Sequence, residues 1–204
     1  MIYRSPSPRS ATPVVVVLVL VAVFAGGLGL GQLPNLPGWP DFPGFGGGRD
    51  TPAGELRRSS PVRLTIDAID VQARVVGVGR ADDGSIATPP TAETTGWYDD
   101  GPAPGQRGTA VIVGHVDTRT APAVFRRLKD VARGTAIEIR RRDRTVARFT
   151  VDSVESFPKS TFPAARIFGD VGRPRLALVT CGGEWIGGET GYADNVIVFA
   201  TLTT

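Results

Sequence analysis

The chain has 204 residues, 41% of them hydrophobic, with 23 Lys and Arg against 20 Asp and Glu. That length supports one domain with a substantial core plus appendages, and the near balance of charge excludes a polyelectrolyte partner, so no nucleic acid is expected. One Cys rules out an intrachain disulfide, and one His with one Cys falls short of a zinc ligand set. Gly46-Gly47-Gly48 follows no strand and opens no helix, so there is no phosphate-binding motif, and neither metal nor cofactor is expected.

Residues 1–13 read as a short cytoplasmic N-terminus, with Arg4 and Arg9 as its charges. Residues 14–31 (VVVVLVLVAVFAGGLGLG) carry no charge and predict a single transmembrane helix, for which about 20 residues are usual. The basic flank places the N-terminus inside and everything after residue 31 outside. A signal peptide cleaved after Val23-Phe24-Ala25 is the competing reading. Both readings export the remainder, and the expected location is the cell membrane, single-pass, with the folded domain extracytoplasmic. Residues 32–60 alternate Pro and Gly with little aliphatic periodicity and read as a tether.

From Pro61 onward the pattern is that of strands. Val62–Ile66 alternates, Val71–Val78 is rich in β-branched residues, Asp82-Asp83-Gly84 is a turn, and Thr109–Gly114 is an apolar run ending at His115. Pro122 is expected to open a short helix with Val124, Phe125 and Leu128 on one face. Ile137–Ile139 and Val146–Val151 flank Arg140-Arg141-Arg142-Asp143-Arg144, a hairpin tip that reads as a solvated turn or as a contact for anionic wall polymers or lipid heads. Residues 155–174 hold three prolines and predict a long loop. Leu176–Cys181 reads as a buried strand stopped by two glycines, followed by a Gly-rich loop over 182–191 and a last strand over Asn195–Ala200. Many short strands with little helix predict an all-β barrel or sandwich over residues 61–204.

Cys181 and His115 each close an apolar run beside a glycine. Cysteine reacts as its thiolate, and an adjacent imidazole is its usual activator, so the pair suits a nucleophile and its acid–base partner. An unpaired cysteine in an exported domain points the same way. Asp117, two residues after His115, either orients the imidazole or caps a turn.

These residues resemble the sortase family. The likeness runs through residues 61–204 and rests on Gly114-His115-Val116-Asp117, Phe125-x-x-Leu128, Leu178-Val179-Thr180-Cys181-Gly182-Gly183 and Tyr192-x-Asp194-Asn195-Val196-x-Val198. The last two look most like the class F sortases of high-GC Gram-positive bacteria. The resemblance implies a closed eight-stranded β-barrel with one or two short helices, behind the N-terminal helix and linker. It also implies a cysteine transpeptidase that cuts LPxTG-like sorting signals between Thr and Gly. The acyl-thioester on Cys181 would pass to an amine, typically of a peptidoglycan precursor, with His115 as acid and then base. The 155–174 loop and the 120–131 segment would wall the peptide groove.

The family carries an Arg at the start of its last strand, and here no Arg or Lys follows Cys181. Asn195 stands in that place, either as an uncharged donor to the oxyanion or substrate carbonyl or as a turn residue. The missing Arg supports an alternative: a non-catalytic or weakly hydrolytic sortase-like domain that binds sorting-signal peptides or wall components. A cysteine L,D-transpeptidase is a third reading, but the Ser-His-Gly-Cys-type box of that family is absent.

Overall fold

The computed structural model describes residues 54–169, 172–187 and 191–203. The expected N-terminus, membrane helix and nearly all of the expected linker lie outside them. Among the described residues no helix is long and apolar enough to cross a membrane.

The described strands are β1 (Pro61–Ile66), β2 (Val71–Val78), β3 (Thr95–Tyr98), β4 (Gly108–Val113), β5 (Ala136–Arg141), β6 (Val146–Pro158), β7 (Pro174–Gly187) and β8 (Gly191–Leu202). They form a closed barrel in the order β1-β2-β3-β4-β7-β8-β6-β5, as the family resemblance implies. Two pairs are parallel, β2 with β3 and β4 with β7; the rest are antiparallel.

Apolar residues sort by strand alternation into two cores. Leu64, Ile66, Ile112, Ile139, Phe149, Leu176, Leu178 and Val198 fill the barrel interior. Val111, Ala177, Val179, Ile197 and Phe199 face outward and are covered by Tyr98, Ile167 and the partly buried Phe157 and Phe162. Burial on both faces explains why β4 and β7 read as continuous apolar runs rather than alternating ones. The outward row matters most for function, because Cys181 continues it two residues beyond Val179.

Several expectations are corrected. No helix opens at Pro122. The amides of Ala123 and Phe125 donate instead to the carbonyls of Val116 and His115, and Val124 donates to Ala92, so the bonds a helix needs are already used. The only helical turn there is Leu128–Asp130, although Phe125 and Leu128 are fully buried as the pattern required. The predicted 155–174 loop is shorter than expected. β6 runs on to Pro158 against β8, pairing Glu155 with Ile197 and Pro158 with Asp194. A turn at Lys159–Thr161 and helix α1 (Ala164–Phe168) then cover the outer core.

The glycines after Cys181 do not stop the strand. β7 continues to Gly187 and pairs with β8 through register shifts at Gly182/Trp185 and Trp185/Gly187, so residues 182–187 and 191 belong to paired strands rather than to a loop. Gly183 makes this possible: its φ is +76°, and a Cβ there would meet Asp194 Oδ2 at 2.5 Å.

At the 140–144 tip, Arg141 is buried rather than solvated. Its guanidinium donates to the Arg57 carbonyl and to Thr145 Oγ1 at 3.2 Å. Burial lowers its pKa, with Asp143 opposing the shift. The last residues of the expected linker are therefore docked on the barrel. Leu56 donates its amide to Gly105, Arg58 reaches the carbonyls of Asp99 and Gly101 and lies 5.3 Å from the Trp97 ring, and Ser60 accepts from Arg142.

Candidate active site

The site follows from strand register. β4 and β7 run parallel with Val111 beside Ala177 and Val113 beside Val179. The ladder continues one step further, since the Gly114 amide donates to the Val179 carbonyl at 3.1 Å. One more residue on each strand brings His115 level with Cys181. On the other side of β7, Cys181 pairs directly with Asn195 of β8. Paired residues on neighbouring strands project to the same face about 5 Å apart, so Cys181 and Asn195 lie side by side, and His115 follows two residues beyond the end of β4.

All three line one groove of about 900 Å³, and each is partly exposed. The sequence placed Cys181 at a strand end; the structure places it inside a strand, at the point where the barrel gives way to the β7–β8 hairpin.

A buried bond holds this arrangement. Thr180 Oγ1 donates to the Gly114 carbonyl at 2.8 Å, so the residues just before Cys181 and His115 are tied together. Gly114 must be glycine because a Cβ would meet the Phe125 ring at 2.5 Å. The backbone thus approaches the aromatic core beneath the histidine.

His115 Nε2 lies 3.0 Å from the carbonyl of the buried Pro89. A carbonyl only accepts, so Nε2 carries the hydrogen, and Nδ1 is the nitrogen that takes a proton in the neutral ring and gives it back from the imidazolium. Asp117 neither bonds His115 nor caps the turn after it. Thr118 makes the cap, through Oγ1 to the Ala121 carbonyl and from the Ala121 amide, each at 3.0 Å. Asp117 instead accepts the hydroxyl hydrogen of Tyr192, a residue of β8. That bond, loss of water and the nearby Asp117 and Cys181 raise the Tyr192 pKa above the ordinary phenol value.

At another part of the groove wall, Arg80 Nε donates to Tyr98 Oη at 2.9 Å, which raises the arginine pKa further. The Tyr98 ring meets Phe168 of α1 edge-on at 6.3 Å. Arg80 and Arg119 line the same groove as Cys181 and are its guanidinium groups. No side-chain hydrogen bond of Asn195 occurs among the described residues, and no cluster there holds three metal-ligating side chains.

Sequence reasoning named Cys181, His115, Asn195 and Asp117 and missed the groups that hold them. Thr180 and Tyr192 sit inside the motifs that carried the family resemblance, and their hydroxyls were the available signal. The Pro89 carbonyl left none, because a backbone acceptor has no sequence signature.

A family model described as the sortase domain matches residues 64–203. The chain belongs to the sortase family. Among solved structures, sortase A from Corynebacterium diphtheriae is similar at 18% identity with a TM-score of 0.57, covering 72% of this chain and 62% of that one. Sortase C-1 from Actinomyces oris is similar at 16% identity and TM-score 0.57, covering 71% and 76%. Sortase C of Streptococcus pneumoniae is similar at 19% identity and TM-score 0.55, covering 73% and 69%. These likenesses show a shared sortase fold, and this chain spans 62% of the length of the Corynebacterium protein. No curated protein matches the sequence.

Proposed function

We propose that this sortase is a membrane-anchored cysteine transpeptidase of the class F kind. It cleaves LPxTG-like sorting signals of exported proteins through an acyl-thioester on Cys181 and transfers them to a cell-wall amine. The observation that carries the reading is the shared groove: a free cysteine on β7 and the chain's only histidine, just past the end of the parallel strand β4, open into it together.

In the first half-reaction the Cys181 thiolate attacks the Thr–Gly carbonyl, and the C–N bond breaks as His115, protonated at Nδ1, donates to the leaving amine. In the second, the acceptor amine attacks the thioester while neutral His115 takes a proton. Asn195 faces the same groove with its amide uncommitted and supplies a donor for the tetrahedral oxyanion. Arg80 and Arg119 are the charged donors available in place of the family arginine. The apolar wall formed by Phe162 and Phe168 receives the peptide upstream of the cut. Anchoring through residues 14–31 and an extracytoplasmic domain complete the reading.

Intact-mass analysis after incubation with a sorting-signal peptide tests it. The expected result is an acyl adduct on Cys181 that Cys181→Ala lacks while unfolding at nearly the same temperature, since the side chain is partly exposed. Peptide binding without an adduct would favour the non-catalytic alternative, for which the absence of a basic residue after Cys181 is the supporting observation.

A further inference from the structure

Asp117 is a carboxylate with an unusual partner. It lines the groove near His115, is partly exposed, and accepts only the neutral hydroxyl of Tyr192. No cation pairs with it among the described residues. Tyr192 comes from β8 and reaches the loop after β4, and it lines the same groove wall as Cys181. The hydroxyl therefore bridges the groove beside the nucleophile. The turn that presents Asp117 is closed by the Thr118–Ala121 bonds and by pairing of Asp117 with Pro122. Arg119 also lines the groove, but its side chain is exposed, so water and salt screen it.

We propose that Asp117 is the recognition group for the acceptor amine, and that the Tyr192 hydroxyl holds its place until the acceptor arrives. The inference rests on the acyl-thioester reading above. A primary amine is an ammonium ion at neutral pH. A carboxylate paired only with a neutral donor exchanges that donor readily for a charged one, because hydrogen bonds between ionised partners are the stronger kind.

Once the ammonium displaces Tyr192 it sits beside His115 and the thioester. It loses one proton to solvent, and the neutral nitrogen attacks the thioester carbonyl. The C–S bond breaks with its electron pair on Cys181, and the second nitrogen proton passes to His115 Nδ1. The products are the amide, the thiolate, the imidazolium and one released proton. Water, which carries no charge, gains only an ordinary hydrogen bond from Asp117, so the same contact biases the acyl-enzyme away from hydrolysis.

The test separates the two half-reactions in the full chain, using a sorting-signal peptide with glycinamide as a charged acceptor and hydroxylamine as an acceptor uncharged at neutral pH. Rapid-quench mass spectrometry reads acylation of Cys181, and product analysis reads the ratio of aminolysis to hydrolysis. Asp117→Asn should lower the glycinamide ratio by about tenfold or more, with a far smaller change in acylation and in the hydroxylamine ratio. Asp117→Glu should keep most of the glycinamide ratio, and Tyr192→Phe should raise it by removing the competitor.

An unchanged glycinamide ratio in Asp117→Asn would overturn the proposal, as would an equal loss in acylation and with both acceptors, which marks a positioning role through His115. Should Asp117→Asn fail to fold, the Tyr192→Phe arm decides: a lower ratio for glycinamide rejects the placeholder. Absence of any adduct in the unaltered chain rejects the transpeptidase reading and this inference together, whereas an adduct with unshifted ratios rejects only the inference.

Discussion

At Asn195 a strand pairing becomes a chemical hypothesis. Its Cα faces that of Cys181 across the β7–β8 ladder, and its amide has no other side-chain partner among the described residues. Loss of one oxyanion donor typically slows acyl transfer by about 10²–10³. Asn195→Ala is therefore expected to slow acylation by about that factor with little change in peptide affinity, measured by single-turnover kinetics. Asn195→Arg should restore the rate if the groove accepts a guanidinium there. Full activity in the alanine variant would shift the role to Arg80, Arg119 or a backbone amide. Thr180 sets a second residue-scale expectation. Thr180→Val keeps the shape but strands the buried Gly114 carbonyl, at a cost of about 1–3 kcal/mol. Thermal unfolding should fall by several degrees. Acylation should slow as well, because the bond aligns the Cys181 and His115 strands.

Among the elements, α1 adds a polar attachment to its buried one. Arg166 forms a two-pronged pair with Glu155 of β6, at 2.6 and 2.7 Å, and lies 3.8 Å from the Phe199 ring. Buried Ile167 sits beside it on the outer core, and exposed Phe168 turns to Tyr98 in the groove. The pairing with Arg166 and the Ser153 hydroxyl lower the Glu155 pKa. A lowered carboxylate pKa stabilises the folded form above the ordinary Glu value, and that contribution is lost as pH falls through the lowered value. Both side chains are substantially exposed, so solvent screening keeps the stability term small. The larger expected effect is on the groove. Glu155→Gln should raise KM for the peptide with little change in kcat, and acidification through the lowered Glu155 pKa should loosen the wild-type wall in the same way, read by peptide binding. Unchanged peptide affinity in the variant would leave α1 held by Ile167 alone.

For the whole molecule, the docked strap ahead of β1 is the feature that sequence reading assigned to the linker. Residues 56–60 carry few aliphatic side chains, and their hold on the barrel is spread over Leu56, Arg58, the Arg57 carbonyl and Ser60. Arg141 anchors it from the far end of the sequence, buried and bonded to a carbonyl 84 residues away. Arg141→Ala would leave that carbonyl without its donor and open a cavity, and a loss of about 2–4 kcal/mol is expected in denaturant unfolding. A chain beginning at residue 61 should be destabilised comparably relative to one beginning at residue 54. Equal midpoints for the two chains would show that the strap adds nothing to the barrel.

Sequence alone determined the class of fold and singled out the candidate pair. The apolar runs at 109–114 and 176–181 mark the strands buried on both faces, and a single Cys and a single His admit one pairing. Tertiary structure decided what local pattern could not carry. That β7 runs past its glycines depends on β8 being there to pair with it. That residues after Pro122 are not a helix depends on carbonyls at Ala92, His115 and Val116 taking their amides. That Asp117 serves Tyr192 rather than His115 depends on β8 lying beside β7, a neighbour 75 residues away in sequence. Each is set by a partner on another segment of the chain, and the periodicity of one segment does not report which other segment will pair with it.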